Sequence, residues 1–288
     1  MKTDVQKRAG AVPPVALTVA GFDPSSGAGI TADLKVFAAH GLFGVSAITA
    51  LTVQSTQGVR GVEPVSGRLL RESLACLRDD MEIAGVKIGM LGSSEAVEAL
   101  AGFLSGAGIP RERVVLDPVL RSSSGRALLD DDGVALLREK LLPLVGWVTP
   151  NLAELAVLTG EMEPEMREAV PVVAWELAQM AASGGNPELN IVVTGGHLER
   201  PDDFLRTAGG DERWFSGERV QTTATHGTGC AFSSALLSRL LLGDLGIEAV
   251  GAAKRYIREA MLAAYPIGKG RGPMHHLYVF DSERDVSR

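Results

Sequence analysis

A cysteine directly after a glycine-rich turn is the residue of this sequence best placed to do chemistry. The turn, Thr225-His226-Gly227-Thr228-Gly229-Cys230, leads into an apolar run of small residues over 231–242. The first N–H groups of a helix have no partner within it and point along the positive end of its dipole, so the turn predicts a site for a phosphate or an oxyanion. A helix N-terminus also lowers the pKa of a thiol, which makes Cys230 a candidate base or nucleophile.

The same turn has a purely structural interpretation. Thr228 or Gly229 would cap an ordinary helix, and Cys230 would be packed as a small apolar residue, which is the usual environment of a free cysteine. The turn by itself does not decide between the two.

A second glycine-rich connection, residues 20–30, follows the first predicted strand and leads into a helix that contains Asp33 and Lys35. It is neither a dinucleotide-binding fingerprint nor a P-loop, because Gly-x-Gly-x-x-Gly and Gly-Lys-Ser/Thr are both absent. Open α/β sheets bind ligands at the carboxyl ends of their strands. The connection is therefore either a backbone wall of a ligand pocket or a tight turn.

Polar side chains also end two other predicted strands. The amide of Gln54 offers a donor and an acceptor, as the edge of an aminopyrimidine requires, although a solvated strand residue is the plainer interpretation. Asn151 and Glu154 have the spacing of a capping box, and Pro150 before them supports a helix start. The functional alternative is that Glu154 holds Mg²⁺-bound water near nucleotide phosphates.

These residues lie on a regular alternation of short apolar strands and amphipathic helices. That alternation predicts βαβ units and a mostly parallel sheet covered by helices. The predicted strands are 15–20, 45–50, 59–65, 86–88, 114–116, 147–149 and 191–193. The predicted helices are 30–39, 69–80, 95–104, 134–141, 172–182, 231–242 and 247–264. Segments 213–215 and 219–223 predict a hairpin about Ser216-Gly217 that leads to the glycine turn.

Composition limits the classes of function. The 288-residue chain has a net charge of −7 and 45% hydrophobic residues, so it predicts a packed core and small-molecule partners rather than nucleic acid. Cys76 and Cys230 form no disulfide or zinc pattern, which is typical of the cytoplasm. The sequence indicates neither export nor a membrane span. We expect one domain over 15–288, preceded by a disordered tail over 1–14.

Together these segments resemble the hydroxymethylpyrimidine/phosphomethylpyrimidine kinase family of thiamine biosynthesis, within the ribokinase-like superfamily. The matching segments follow the family order and are 20–35, 45–58, 86–92, 115–119, 148–160, 192–197, 225–234 and 268–276. The resemblance implies a three-layer α/β/α ribokinase-like fold with a mostly parallel central sheet. It also implies a homodimer that uses ATP and Mg²⁺ to phosphorylate 4-amino-5-hydroxymethyl-2-methylpyrimidine and then its monophosphate.

The resemblance also implies a role for individual residues. Gln54 would hydrogen-bond the pyrimidine, and three residues would lie near its pocket: Gly21, Asp33 and Met90. Asn151 and Glu154 would lie beside Mg²⁺ and the phosphates. The anion hole would be formed by Gly227, Thr228 and Gly229. Cys230 would be the catalytic base.

The chain departs from the family pattern at two positions near the phosphates. Thr194 and Ser123 stand where many members have lysine. The loss of two cations would weaken nucleotide binding or the second phosphorylation, unless Arg121 and Lys269 replace them.

Two other functions remain open at this stage. Pyridoxal kinases of the same superfamily use the same glycine-cysteine anion hole on a heteroaromatic alcohol of similar size, although Gln54 and the Phe22-Asp23-Pro24 loop favour the pyrimidine. A catalytically silent sensor of the pyrimidine is the other alternative. Cys230, Glu154 and the intact glycine turn count against it.

Overall fold

A computed structural model describes residues 12–122, 125–196 and 198–281 of the chain. Most of the predicted N-terminal tail over 1–14, Ser123 and the end of the predicted domain over 282–288 lie outside these ranges. Val12 is exposed, and the Pro14 carbonyl accepts a hydrogen bond from the Phe43 N–H.

Within the described residues, nine strands form one sheet in the order β3-β2-β1-β4-β5-β6-β7-β8-β9. Strands β2, β1, β4, β5, β6 and β7 are parallel, whereas β3, β8 and β9 are antiparallel to their neighbours. The predicted mostly parallel sheet is confirmed. The strands are β1 (Val15–Phe22), β2 (Phe43–Ser55), β3 (Gly58–Pro64), β4 (Ile83–Ile88), β5 (Val114–Leu116), β6 (Trp147–Val148), β7 (Asn190–Val193), β8 (Asp203–Arg206) and β9 (Glu212–Phe215).

Helices cover both faces of this sheet, as the predicted three-layer α/β/α fold requires. Along β1, Leu17 and Val19 belong to one buried apolar cluster and Ala16 belongs to another, so the strand is buried on both faces. The helices are α1 (Gly29–Ala39), α2 (Gly67–Asp80), α3 (Ser94–Gly106), α4 (Asp131–Leu136), α5 (Leu152–Thr159), α6 (Val170–Ser183), α7 (Thr228–Leu241) and α8 (Gly246–Leu262). Helices α1, α7 and α8 pack on one face, and α2, α3, α5 and α6 pack on the other. In the described part of the chain, no helix combines the length and apolar character needed to cross a bilayer.

The predicted hairpin about Ser216-Gly217 is wrong. Strand β9 pairs with β8, which precedes it, and residues 219–223 lie in no strand. The sequence prediction missed β8 because that strand has only four residues and charged ends at Asp203 and Arg206. The buried side chains of Phe204 and Leu205 decide its place in the sheet.

Helix α7 begins earlier than predicted, and this matters for the site. Its first residue is Thr228, and the cap is Gly227 in the left-handed region with φ 77°. Thr228, Gly229 and Cys230 therefore form the first helical turn, where the backbone N–H groups have no partner within the helix.

Candidate active site

A cavity of about 2120 Å³ lies along the carboxyl edge of the parallel strands. Its size exceeds that of a typical pocket for one small molecule, so it has room for two ligands side by side. Nearly all the residues singled out from the sequence line it: Gly21, Gln54, Met90, Asn151, Glu154, Thr194, Gly227, Thr228, Gly229, Cys230 and Lys269. Asp33, expected near the pyrimidine pocket, does not line the cavity.

The two glycine-rich connections pack against each other at one end of this cavity. A Cβ atom on Gly227 would lie 1.9 Å from the Gly27 carbonyl oxygen, which belongs to the other connection. Within that connection, a Cβ atom on Gly29 would lie 2.2 Å from the Gly21 carbonyl oxygen. Both Gly29 and Gly227 also have positive φ angles, which favour glycine. Backbone contact thus fixes the N-terminus of α7 next to the loop after β1.

Cys230 is partly exposed to the cavity, and a group of buried charges lies behind it. The Lys87 ammonium is fully buried and donates to Asp33 Oδ1 and Oδ2 over 3.1 and 3.0 Å. Its Nζ atom lies 3.9 Å from Asp117 Oδ2. The Cys230 thiol donates to the Asp117 carboxylate. These side chains link α1, β4, the end of β5 and the start of α7.

The environment of Asp33 explains why it does not line the cavity. Besides Lys87, its carboxylate accepts hydrogen bonds from Thr18 Oγ1 at 2.6 Å and Ser234 Oγ at 2.7 Å. The residue is 0% exposed. Asp33 therefore balances the charge of a buried lysine beneath the site instead of contacting a ligand.

The expected lowering of the Cys230 pKa is wrong. Burial raises the pKa of the thiol to about 12; Lys87 opposes this shift, while the charges of Asp117 and Asp33 add to it. Desolvation and two neighbouring carboxylates outweigh the helix N-terminus. Cys230 is therefore a thiol at neutral pH.

Asn151 and Glu154 form the predicted capping box at the start of α5. The Asn151 side chain accepts from the Glu154 N–H at 2.9 Å, and the Glu154 carboxylate accepts from the Asn151 N–H at 2.9 Å. Glu154 is nevertheless at the cavity wall and only 8% exposed. Burial, with the charge of Asp117 adding to it, raises the pKa of Glu154 to about 8.

The donor set at this point suits a hard cation that keeps part of its water. Two buried carboxylates, Glu154 and Asp117, face the same cavity and oppose each other's ionisation. The described residues contain no group of three or more histidine, cysteine or acidic side chains able to hold a metal by themselves. Mg²⁺ commonly binds through one or two carboxylates and completes its shell with water and phosphates, so the residues fit this ion.

Gln54, His226 and Asp23 form a connected group at the other end of the cavity. His226 Nε2 lies 2.8 Å from Asp23 Oδ2 and 3.0 Å from the Gln54 Nε2 position. Asp23 also accepts from the backbone N–H groups of Ser25, Gly27 and Ala28. Burial raises the Asp23 pKa, but the hydrogen bonds from His226 and Ser25 outweigh burial and the pKa is lowered. The Asp23 carboxylate is therefore ionised at neutral pH.

These neighbours determine which way the Gln54 amide faces. Because His226 Nε2 faces the ionised Asp23, it carries a proton and has no lone pair with which to accept a hydrogen bond from the Gln54 amide nitrogen. Thr52 Oγ1 lies 2.9 Å from the Phe22 carbonyl oxygen, which takes the only proton of that hydroxyl. Thr52 can then only accept from Gln54, 3.1 Å away. Both neighbours favour the orientation in which Gln54 Oε1 faces the His226 Nε2–H, which it shares with Asp23, and Gln54 Nε2 donates to Thr52.

The cavity also holds the cations expected to replace the two absent lysines. Thr194 sits at the cavity wall, where its N–H donates to the Pro150 carbonyl at 2.9 Å. Arg121 and Lys269 both line the cavity, as do further cations: Arg200, Arg213, Arg219, Lys254, Arg255, Arg258 and Arg271. The prediction for Ser123 falls outside the described residues.

Sequence reasoning missed the site roles of Lys87 and His226. The predicted strand 86–88 contains Lys87, and the signal for its role is a lysine inside a segment otherwise typical of a strand buried on both faces. The sequence pattern assigns no role to His226, although this residue precedes Gly227 of the anion turn. Only the fold shows that His226 contacts Gln54, which lies 172 positions away in the chain.

Comparison with known proteins points to one family. Residues 23–275 match the family model described as phosphomethylpyrimidine kinase. A hydroxymethylpyrimidine/phosphomethylpyrimidine kinase from Rhizobium meliloti is 42% identical over 275 residues, which cover 92% of this chain and 97% of that protein. A thiamine biosynthesis bifunctional protein from Geobacter sulfurreducens is 40% identical over 274 residues, covering 93% of this chain and 53% of that one.

A solved structure with a similar fold is the ADP complex of Bacillus subtilis pyridoxal kinase. It superposes with a TM-score of 0.80 at 31% identity, covering 93% of this chain and 98% of that one. The likeness covers nearly the whole α/β/α arrangement.

Proposed function

This chain belongs to the phosphomethylpyrimidine kinase family, and we propose that it phosphorylates 4-amino-5-hydroxymethyl-2-methylpyrimidine and then its monophosphate, using ATP, in thiamine biosynthesis. The chain is a kinase, so the alternative of a catalytically silent sensor is set aside. The observation that carries the proposal is the convergence of Cys230 and the first turn of α7 with Gln54 and Glu154 on one cavity.

In the proposed reaction, the substrate oxygen attacks the γ-phosphorus of ATP. A new O–P bond forms, the bond from this phosphorus to the β,γ-bridging oxygen breaks, and ADP leaves. The Cys230 thiol first releases its proton to water in the cavity, and the resulting thiolate then accepts the hydroxyl proton as the new O–P bond forms. The first-turn N–H groups of Thr228, Gly229 and Cys230 would stabilise negative charge on the transferred group.

The other site residues have roles in binding. Gln54, oriented by His226, would hydrogen-bond the pyrimidine edge, beside a wall formed by Gly21 and Met90. Asn151, Thr194 and Lys269 would lie along the nucleotide phosphates. Glu154 would hold Mg²⁺ through its carboxylate or through water, and the ion would neutralise charge on the phosphates.

A pyridoxal kinase activity is the second candidate, favoured by the similarity to the Bacillus subtilis enzyme. The test is turnover of the purified protein with MgATP and, separately, hydroxymethylpyrimidine, its monophosphate and pyridoxal, with products resolved by mass. We expect turnover of both pyrimidines. The kcat/KM for pyridoxal should be at least about tenfold lower, because the loss of one good polar contact has an effect of this size. Preference for pyridoxal, or no turnover of any of the three, would contradict the proposal.

We further propose that residues 15–288 form one kinase domain that works as a cytoplasmic homodimer. The end of the sheet formed by β2 and β3 exposes large apolar side chains on β2: Leu51 is 48% exposed and Val53 is 64% exposed. A second copy covering this surface would remove them from water. Light scattering behind size exclusion measures the mass, and Val53→Glu should shift it toward the monomer. Both cysteines are free, as expected in the cytoplasm.

A further inference from the structure

The loop over 266–272 brings two cations to the cavity. Lys269 and Arg271 alternate in this loop with three glycines, and both line the cavity. Within the described ranges, neither side chain has an ion-pair or hydrogen-bond partner. Because a lysine side chain is long and flexible, the direction of the Lys269 ammonium depends on how the backbone of the loop is held.

The backbone of this loop rests on the tip of the hairpin formed by β2 and β3. The Gly270 N–H donates to Thr56 Oγ1 at 3.2 Å. A Cβ atom on Gly268 would lie 2.4 Å from the same oxygen, and one on Gly270 would lie 2.0 Å from the Thr56 carbonyl oxygen. Thr56 therefore contacts the residues on both sides of Lys269.

The other end of the loop is held by the segment before α7. The His226 N–H donates to the Gly272 carbonyl at 3.2 Å, and the Gly272 N–H donates to the Thr223 carbonyl at 3.1 Å. This second anchor uses backbone groups, whereas the hydrogen bond to Gly270 depends on the hydroxyl of Thr56. A single substitution at Thr56 can therefore release the loop next to Lys269.

We propose that Thr56 is a positioning residue for nucleotide binding, which holds the loop so that the Lys269 ammonium faces the nucleotide phosphates. This inference rests on the role of Lys269 in the proposed function. A backbone N–H that loses its acceptor favours other conformations of the loop, and a charge that is no longer held in place binds less well. Thr56 follows Gln54 by two residues, so one hairpin would serve both substrates.

The direct test measures nucleotide binding without the pyrimidine. Isothermal titration calorimetry with a non-hydrolysable ATP analogue and Mg²⁺ compares the parent with Thr56→Val, Thr56→Ser, Lys269→Met and the double variant Thr56→Val/Lys269→Met. Valine removes the acceptor at nearly the same side-chain size, whereas serine keeps it. Thr207→Val is the matched control, because Thr207 Oγ1 accepts from the Asp211 N–H at 3.0 Å in another turn, outside the cavity lining.

The variants should separate by whether the loop is held and whether the charge is present. Lys269→Met should raise the Kd of the analogue at least about tenfold, because a charge-assisted contact is lost. Thr56→Val should raise it about three- to tenfold, and should have no further effect in the Lys269→Met protein. Thr56→Ser and Thr207→Val should stay within about twofold of the parent.

A second variant releases the loop from its own side. In Gly270→Ala the new Cβ would displace the loop from the Thr56 carbonyl oxygen while leaving Thr56 intact. Should Thr56→Val fail to fold, Gly270→Ala must raise the Kd in the parent and leave it unchanged in the Lys269→Met protein.

Kinetics separate this role from a general disturbance of the hairpin. Thr56→Val should raise the KM for ATP while the KM for hydroxymethylpyrimidine, recognised through Gln54, stays unchanged. Equal rises of both KM values, parent-like binding by Thr56→Val, or an additive effect with Lys269→Met would overturn the inference. Parent-like binding by Lys269→Met would remove Lys269 from the proposed function and overturn the inference with it. If only the pyrimidine assignment were wrong, the order of Kd values would persist while pyrimidine turnover was absent.

Discussion

The side chains of Gln54 and His226 meet across the cavity, with 3.0 Å between the Gln54 amide and His226 Nε2. The contact joins strand β2 to the turn before α7. Because His226 is itself held by Asp23 at 2.8 Å, the orientation of the Gln54 amide is set by a carboxylate in the loop after β1. The residue proposed to recognise the pyrimidine is thus positioned by the two glycine-rich connections.

Replacing His226 should impair recognition of the pyrimidine. In His226→Ala the Gln54 amide loses its orienting partner. We therefore expect the KM for hydroxymethylpyrimidine to rise about tenfold, which corresponds to the loss of about one hydrogen bond, while the KM for ATP stays unchanged. Steady-state kinetics with each substrate varied in turn measure this. His275→Ala is the control, since His275 pairs with Asp281 and lies outside the cavity lining. Equal changes in both KM values would count against the role of His226.

Removing the thiol should slow the reaction strongly without unfolding the protein. We expect Cys230→Ala to lower kcat by about 10²–10⁴-fold, the usual contribution of a general base, and to leave the melting temperature within a few degrees of the parent. Cys76→Ser, on the exposed face of α2, should retain full activity. Parent-like turnover by a folded Cys230→Ala protein would remove Cys230 from the mechanism.

Glu154 should make stability depend on pH and on Mg²⁺. Its pKa in the folded protein, about 8, lies above the ordinary value of 4.5, so the folded state binds this proton more tightly than the unfolded state does. Its contribution to the free energy of unfolding therefore falls as pH rises from about 4.5 to about 8, by up to about 1.4 kcal/mol per pH unit. Mg²⁺ should raise the melting temperature more at pH 8.5 than at pH 6.

Glu154→Gln is the matched variant, because glutamine also completes a capping box. It should weaken both the pH-dependent loss of stability and the stabilisation by Mg²⁺. Thermal denaturation at the two pH values, with and without about 5 mM Mg²⁺, measures both effects. A Mg²⁺ effect of the same size in both proteins would place the ion elsewhere.

Two glycines of the anion turn should differ sharply in their tolerance of alanine. Gly227 has φ 77°, and a Cβ there would overlap the Gly27 carbonyl, so Gly227→Ala should cost at least about 2 kcal/mol of unfolding free energy. A Cβ on Gly229 would meet no atom within 4 Å, and Gly229→Ala should change stability by less than about 0.5 kcal/mol. Urea denaturation of both variants measures this difference. Similar losses would contradict the backbone contact between the two connections.

Arg121 should matter more for the monophosphate than for the alcohol. If it replaces an absent lysine, Arg121→Ala should lower kcat/KM for the monophosphate about tenfold and that for the alcohol by less, since a charge-assisted phosphate contact is lost. Arg126→Ala is the control, because its guanidinium donates to the Arg60 carbonyl and does not line the cavity. Unchanged kinetics on both substrates would show that Arg121 does not compensate.

The parts of the fold that follow from local pattern were predictable from the sequence. The alternation of apolar strands and amphipathic helices gave the parallel sheet, and the spacing of Asn151 and Glu154 gave the start of α5. The pairing of β9 with β8 was not predictable in this way, because a four-residue strand with charged ends carries little periodicity. Its position depends on packing of Phe204 against Trp214.

The chemistry of the site was harder to predict than its location. Cys230 was found from its helix N-terminus, which favours the thiolate, but its pKa depends on Asp33 and Asp117, which only the tertiary structure brings close. Asp33 shows the same limit: its sequence position suggested a pocket residue, whereas Lys87 and Ser234 enclose it beneath the cavity.

The bond between Ser234 and Asp33 spans 201 positions of the chain, and it has a consequence for synthesis on the ribosome. Asp33 and Lys87 emerge early, while α7, which covers them, emerges near the end. Until α7 is made, the ion pair of Asp33 and Lys87 lacks its cover, so this one helix both completes the buried charge group and creates the anion turn. An incomplete nascent chain therefore has no kinase site to expose.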